Sequence, residues 1–234
     1  MRDILPSGPV RLVAICLLGF GLPAAIFSDR NFERVFDEHG LIESLTVAVW
    51  LVAVAIFARA ALVGGGGAVA WLAAPVCVAA ALREADLHLT LTGFSILKIR
   101  FYSSDAFGAQ EKLLALAVVL PIALALAALI ALLVQRLRRN GTGSPAMRLL
   151  LATLALLTLS KLADRSPAIL LHSYGIDLSS FVARLMTAFE EGIELLLPVL
   201  FVASFRIAQT PSGPSSVDTD FHPHAGDGMH GRPS

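Results

Sequence analysis

Long unbroken apolar runs constrain this chain more than any other feature. A helix rises about 1.5 Å per residue, so about 20 apolar residues cross a hydrocarbon core of about 30 Å. Hydrocarbon offers no partner for backbone N–H and C=O groups, so a chain that crosses it must do so as helices or as a closed barrel. The runs here are continuous and do not alternate, which selects helices. They fall at Leu12–Phe27, Leu41–Phe57, Ala68–Leu82, Leu113–Val134, Leu149–Leu162 and Phe181–Phe205. The expected fold class is all-α: a polytopic bundle of six transmembrane helices over residues 1–208. With 56% hydrophobic and only 15% charged residues, a water-soluble domain is not expected.

The first run is preceded by Arg2 and Arg11, as in a signal peptide, but Leu22-Pro23-Ala24-Ala25 lacks a clean small-x-small cleavage pattern. A retained helix is expected. Cys16 and Cys77 both lie in apolar runs and read as small packing residues. The abundance of Ala, Leu and Arg over Lys points to a high-GC bacterium. The membrane expected is therefore the bacterial inner membrane.

Basic loops mark the cytoplasmic side. Arg136, Arg138, Arg139 and Arg148 stand between runs four and five with no acid among them. Arg2 and Arg11 precede run one, Arg59 ends run two and Arg206 ends run six. Six spans put all of these on one side, with both termini cytoplasmic. Glycine-rich turns at Gly64–Gly67 and Asn140–Pro145 suit the connections on that side. Residues 209–234, rich in Pro, Ser, Gly, Asp and His, are expected to form a disordered cytoplasmic tail.

Ionisable residues collect at the opposite ends of the runs. Glu43 starts the second; Arg83, Glu84 and Asp86 close the third; Lys161, Asp164 and Arg165 close the fifth; Glu190, Glu191 and Glu194 interrupt the sixth. Counting about 20 residues from each cytoplasmic turn places all of them in one outer layer. Charge in a membrane is costly and must face other charge or water, so it marks a site. Glu190 and Glu194 share a helix face, as do Lys161 and Arg165. The expectation is an outward-facing polar pocket in which Glu190 or Glu194 pairs with Arg83, Lys161 or Arg165. Glu190, Glu194, Asp86 and Glu84 are the acid–base candidates. Arg83, Lys161, Asp164, Arg165, Glu43 and Glu191 complete the binding set.

The outer segment 83–112 is too apolar to float and too polar to span, so an interfacial or re-entrant path is expected. Within it, Lys98 and Arg100 beside Phe101 and Tyr102 suit a phosphate or carboxylate headgroup at interfacial depth. His39, His88 and His172 share the outer side and with Asp86 offer an alternative zinc site. Each stands alone in its segment, so no cofactor is required. A formal net charge of zero with no concentrated basic face argues against nucleic acid.

The expected ligand is a membrane lipid or other amphiphile, with an anionic headgroup. Two further readings stand beside it. One is a non-catalytic membrane subunit whose charges pair between helices, with a membrane protein as partner. The other is a small proton-coupled transporter, which the charge-free cytoplasmic halves of the runs disfavour. The sequence does not decide between binding and catalysis.

Overall fold

A computed structural model of the chain describes residues 19–36, 40–86, 96 and 99–210. Among these there is no strand. Residues 19–26 are helical (α1), and a short helix α2 follows at Asp29–Phe36. The long helices are α3 (Leu41–Leu62), α4 (Gly67–Glu84), α6 (Ala109–Asn140), α7 (Pro145–Tyr174) and α8 (Ser180–Gln209), with a single-turn helix α5 (Ile99–Ser103) before α6. Four helical stretches among the described residues are long and apolar enough to cross a membrane: Asp29–Leu62, which contains α3, then Gly67–Glu84, Ala109–Arg139 and Pro145–Tyr174.

The sixth apolar run also forms a helix, α8, but it is not one of those four. It is crossed by Arg184, Glu190, Glu191, Glu194 and Arg206. Of the first run only residues 19–27 are described. The expected tail from residue 211 onward, His39, His88, Lys98 and most of the segment 87–98 lie outside the described residues.

The turns sit where the glycines and prolines place them. Gly64 and Gly67 take positive φ values of 77° and 54° between α3 and α4, a region open to glycine at little cost. At the start of α7, the Ser144 hydroxyl accepts a hydrogen bond from Met147 N at 3.1 Å, with Pro145 in the first helical turn.

Helices pack in a row: α6 on α4, α4 on α3, α3 on α8 and α8 on α7. Small residues make the α3–α4 seam close. Ala53, Phe57 and Ala61 of α3 meet Ala70, Ala73 and Cys77 of α4, and Phe205 of α8 joins them. Such side chains let helix backbones approach where lipid supplies no hydrophobic drive. Phe57 stands 4.7 Å and 5.1 Å, ring centre to ring centre, from Phe205 and Phe201. Although α6 and α7 follow one another through a short turn, they do not pack along each other. Among the described residues, no helix packing closes the flank between α4–α6 and α7.

Two features escaped the sequence reading. In α2, Phe32 and Phe36, one turn apart, are buried against α3 and α8 while its charged face is exposed. Arg184 of α8 holds this helix, donating to Asp29 Oδ1 at 3.0 Å and to Phe27 O at 2.5 Å, with its guanidinium 4.7 Å from the Phe32 ring centre. In α8, Gly192 lies under Phe20 of α1. A Cβ there would stand 2.3 Å from Phe20 Cδ2, so the close approach requires glycine.

Candidate functional site

Three helices bring the polar cluster together. The face of α7 that carries Leu149, Thr153 and Ser160 is buried towards α8. That register turns Ser160 and Lys161 to Glu194. Lys161 Nζ donates to Glu194 Oε1 at 2.5 Å and stands 3.8 Å from Glu190 Oε1. Ser160, itself fully buried, donates to the same Glu194 oxygen at 3.1 Å. From the last turn of α4, Glu84 comes within electrostatic range of Glu194 and Lys161. The expected pairing of the α8 glutamates with a base from another helix is present, and Lys161 is that base.

Around this centre the environment grades outward. The Glu194 side chain is 10% exposed, Glu190 21% and Lys161 32%, so the cluster is buried on the α8 side and opens towards α7. Glu191 is half-buried within electrostatic range of Glu194, Glu190, Glu84 and Glu43. Asp164 is exposed but within electrostatic range of Glu190. Arg83 is exposed and acts on Glu84, Glu190 and Glu194 from the rim. Acids therefore outnumber bases at the centre, and the one central base already has two carboxylate neighbours.

The structure relocates some of the candidates. Lys161, Asp164 and Arg165 do not close the fifth helix, because α7 continues unbroken to Tyr174. They sit near its middle, about 24 Å along from Pro145 in the case of Lys161. Polar residues of the exposed last turns misled the apolar count, but they propose no break in the helix. Arg165 is exposed and takes no part in the ion pairs. Asp86 lies past the end of α4, half-buried in a turn with φ 43°. Glu43 is half-buried in the first turn of α3.

Arg100 and Tyr102 form a separate feature. Arg100 is exposed on α5, while Phe101 packs against Tyr102 and Phe107. Tyr102 Oη is buried with no hydrogen-bond partner among the described residues, and no contact links it or Arg100 to the carboxylates. For metal, no three His, Cys, Asp or Glu side chains among the described residues gather as ligands, and His172 is exposed on α7.

Ser160 is the site residue that sequence reasoning passed over. Its signal was present: a small hydroxyl beside Lys161, one of the few polar positions in an apolar helix. Two clefts indent the surface elsewhere. One of about 220 Å³ lies between α2 and α8 beside Phe32, Phe36 and Arg184. The other, of about 180 Å³, lies at the far ends of α3 and α8. Neither is lined by the carboxylate cluster. No family model, curated protein or solved structure matches the chain.

Proposed function

We propose that the chain is a six-span protein of a bacterial inner membrane, with both termini cytoplasmic, whose Glu84–Lys161–Glu190–Glu194 cluster takes the polar head of an amphiphile. One observation carries the reading: three acids from two helices surround one lysine, beside a flank where the described helices α6 and α7 do not pack on each other. An amphiphile reaching that flank from the lipid keeps its chains in hydrocarbon and lowers its head into a partly desolvated acid site. The acid excess favours a head with a positive or hydrogen-bond-donating group over the anionic head expected from sequence. Exposed Arg83 at the rim suits a phosphate on the same molecule, so a zwitterionic headgroup fits best.

Short-chain phosphatidylethanolamine and phosphatidylglycerol, titrated onto the detergent-solubilised protein, test this. Glu194→Gln is expected to weaken phosphatidylethanolamine binding about tenfold or more, in line with a charge-assisted hydrogen bond, and to leave phosphatidylglycerol binding unchanged. Indifference of phosphatidylethanolamine binding to Glu194→Gln, or an equal loss of phosphatidylglycerol binding, contradicts the reading. Reporter fusions after Gly141 and after Tyr102 test the topology and should report opposite sides.

The short Lys161–Glu194 contact favours a second reading, in which the cluster only locks the register of α7 on α8 in a non-catalytic membrane subunit. Under it Glu194→Gln lowers stability and changes no lipid affinity.

A further inference from the structure

We infer that the cleft at the far ends of α3 and α8 is a binding site for the phosphate of an anionic phospholipid. It is distinct from the carboxylate cluster and lies at the other end of the same helices. Its volume is about 180 Å³, and Arg59, Arg206 and Gln209 line it with Ile56, Ala60, Val63 and Gly65. Arg59 stands in the last turn of α3 and Arg206 in the last turn of α8, so two helices present guanidinium groups at one level. Both arginines are exposed, and neither has an ion-pair or side-chain hydrogen-bond partner among the described residues. The cleft has no acidic lining. Its walls are held together: Gln209 Nε2 donates to Gly65 O at 2.9 Å, tying the end of α8 to the turn after α3.

The chemistry of this arrangement is specific. Two unpaired guanidiniums across a small cleft match the several oxygens of a phosphate, which arginine binds through parallel N–H groups. The remaining wall is aliphatic: Ile56 is half-buried, and Val63 is 77% exposed at the end of α3. An inorganic phosphate has no use for that wall, whereas the glycerol and first methylenes of a lipid do. Basic clefts between helix ends at the membrane surface are suited to anionic headgroups for this reason. Arginine in a last helical turn also offsets the helix dipole, and the test must separate that role from binding.

Native mass spectrometry of the full chain, released from micelles doped with phosphatidylglycerol or with phosphatidylcholine of the same chains, provides the readout. The wild type should retain one phosphatidylglycerol, and Arg59→Gln/Arg206→Gln should bind it about thirtyfold more weakly, the loss expected for two basic residues at an anionic surface. Phosphatidylcholine retention should be the same in both, and millimolar inorganic phosphate should not displace the lipid. Arg59→Lys/Arg206→Lys keeps both charges at the helix ends and so keeps the fold if the glutamine variant does not. It should still bind phosphatidylglycerol several-fold more weakly than wild type. Wild-type affinity in a folded glutamine or lysine variant overturns the proposal, and so does displacement by inorganic phosphate.

Discussion

Helices α6 and α8 are nearly equal in length, at 32 and 30 residues, and opposite in everything else. The more apolar one is outside. Only 6% of the most apolar window of α6 is buried, and among the described helices it packs mainly on α4. The helix that carries three glutamates is an inner one, packed between α3 and α7, with Gly192, Ile193, Glu194, Leu196, Leu197, Pro198 and Leu200 buried. In water this distribution would be unstable, because α6 would expose a long apolar surface. In lipid it is the stable one: α6 meets a solvent as apolar as itself, and the charges of α8 withdraw to one another. Between these two helices, burial follows the position of the polar groups and not overall apolarity.

The strongest way to break the contrast is to unpair α8. Lys161→Met leaves Glu194, Glu190 and Glu84 without their central cation. It should cost about 3–5 kcal/mol, as breaking one side of a buried pair does, read by reversible unfolding in mixed micelles. A cost under ~1 kcal/mol, the worth of an exposed pair, would place the cluster in bulk water instead.

Paired leucines sharpen it next. Leu200 of α8 is 4% exposed and Leu124 of α6 is 61% exposed. Leu200→Ala should destabilise by about 2–5 kcal/mol, and Leu124→Ala by less than about 0.5 kcal/mol. Leu124→Asp should reverse that tolerance, raising the cost of membrane insertion by about 2.5–3.5 kcal/mol. Equal tolerance of Ala and Asp at position 124 would mean that α6 faces water.

Gly192→Ala probes the inner face at the point where α1 touches α8. The added Cβ meets Phe20 ring atoms at 2.3 and 2.4 Å, so α1 must move, at about 1–3 kcal/mol. Within the cluster, the smallest effect expected is that of Ser160→Ala. It removes one hydrogen bond to a carboxylate that keeps Lys161, and should cost about 1.5 kcal/mol in the same unfolding measurement.

The outside of this molecule was easier to read than the inside. Continuous apolarity identifies α3, α4, α6 and α7, because a lipid-facing helix has to be apolar along its whole length. It underestimates their ends. α7 runs on past Leu162 to Tyr174 because Lys161 and Arg165 are good helix formers and the charge of Lys161 is met by the glutamates of α8, a tertiary effect that no window of sequence contains. Depth counting brought Glu194 and Lys161 to one level, since both ends of each helix are fixed by turns and arginines. It could not say that Arg165 faces away, because a helix face is chosen by its neighbours. α2 was legible in principle: Phe32 and Phe36 stand one turn apart in a charged segment, but eight residues are too few to stand out beside long apolar runs.

The measurement closest to the central claim compares two spin labels at similar depth, one on each side of the contrast. Leu124 of α6 and Asp164 of α7 lie about 24 Å and about 28 Å along their helices from the shared turn after Asn140. Labels at these positions, with Cys16 and Cys77 replaced by Ser and Ala, are read in nanodiscs for relaxation by oxygen and by a water-soluble nickel chelate. The account predicts that oxygen dominates at position 124 and the nickel chelate at position 164, where the flank beside the acid cluster admits polar molecules. Dominance of oxygen at both would put the charges in lipid, dominance of nickel at both would put the whole bundle in water, and either result would contradict it.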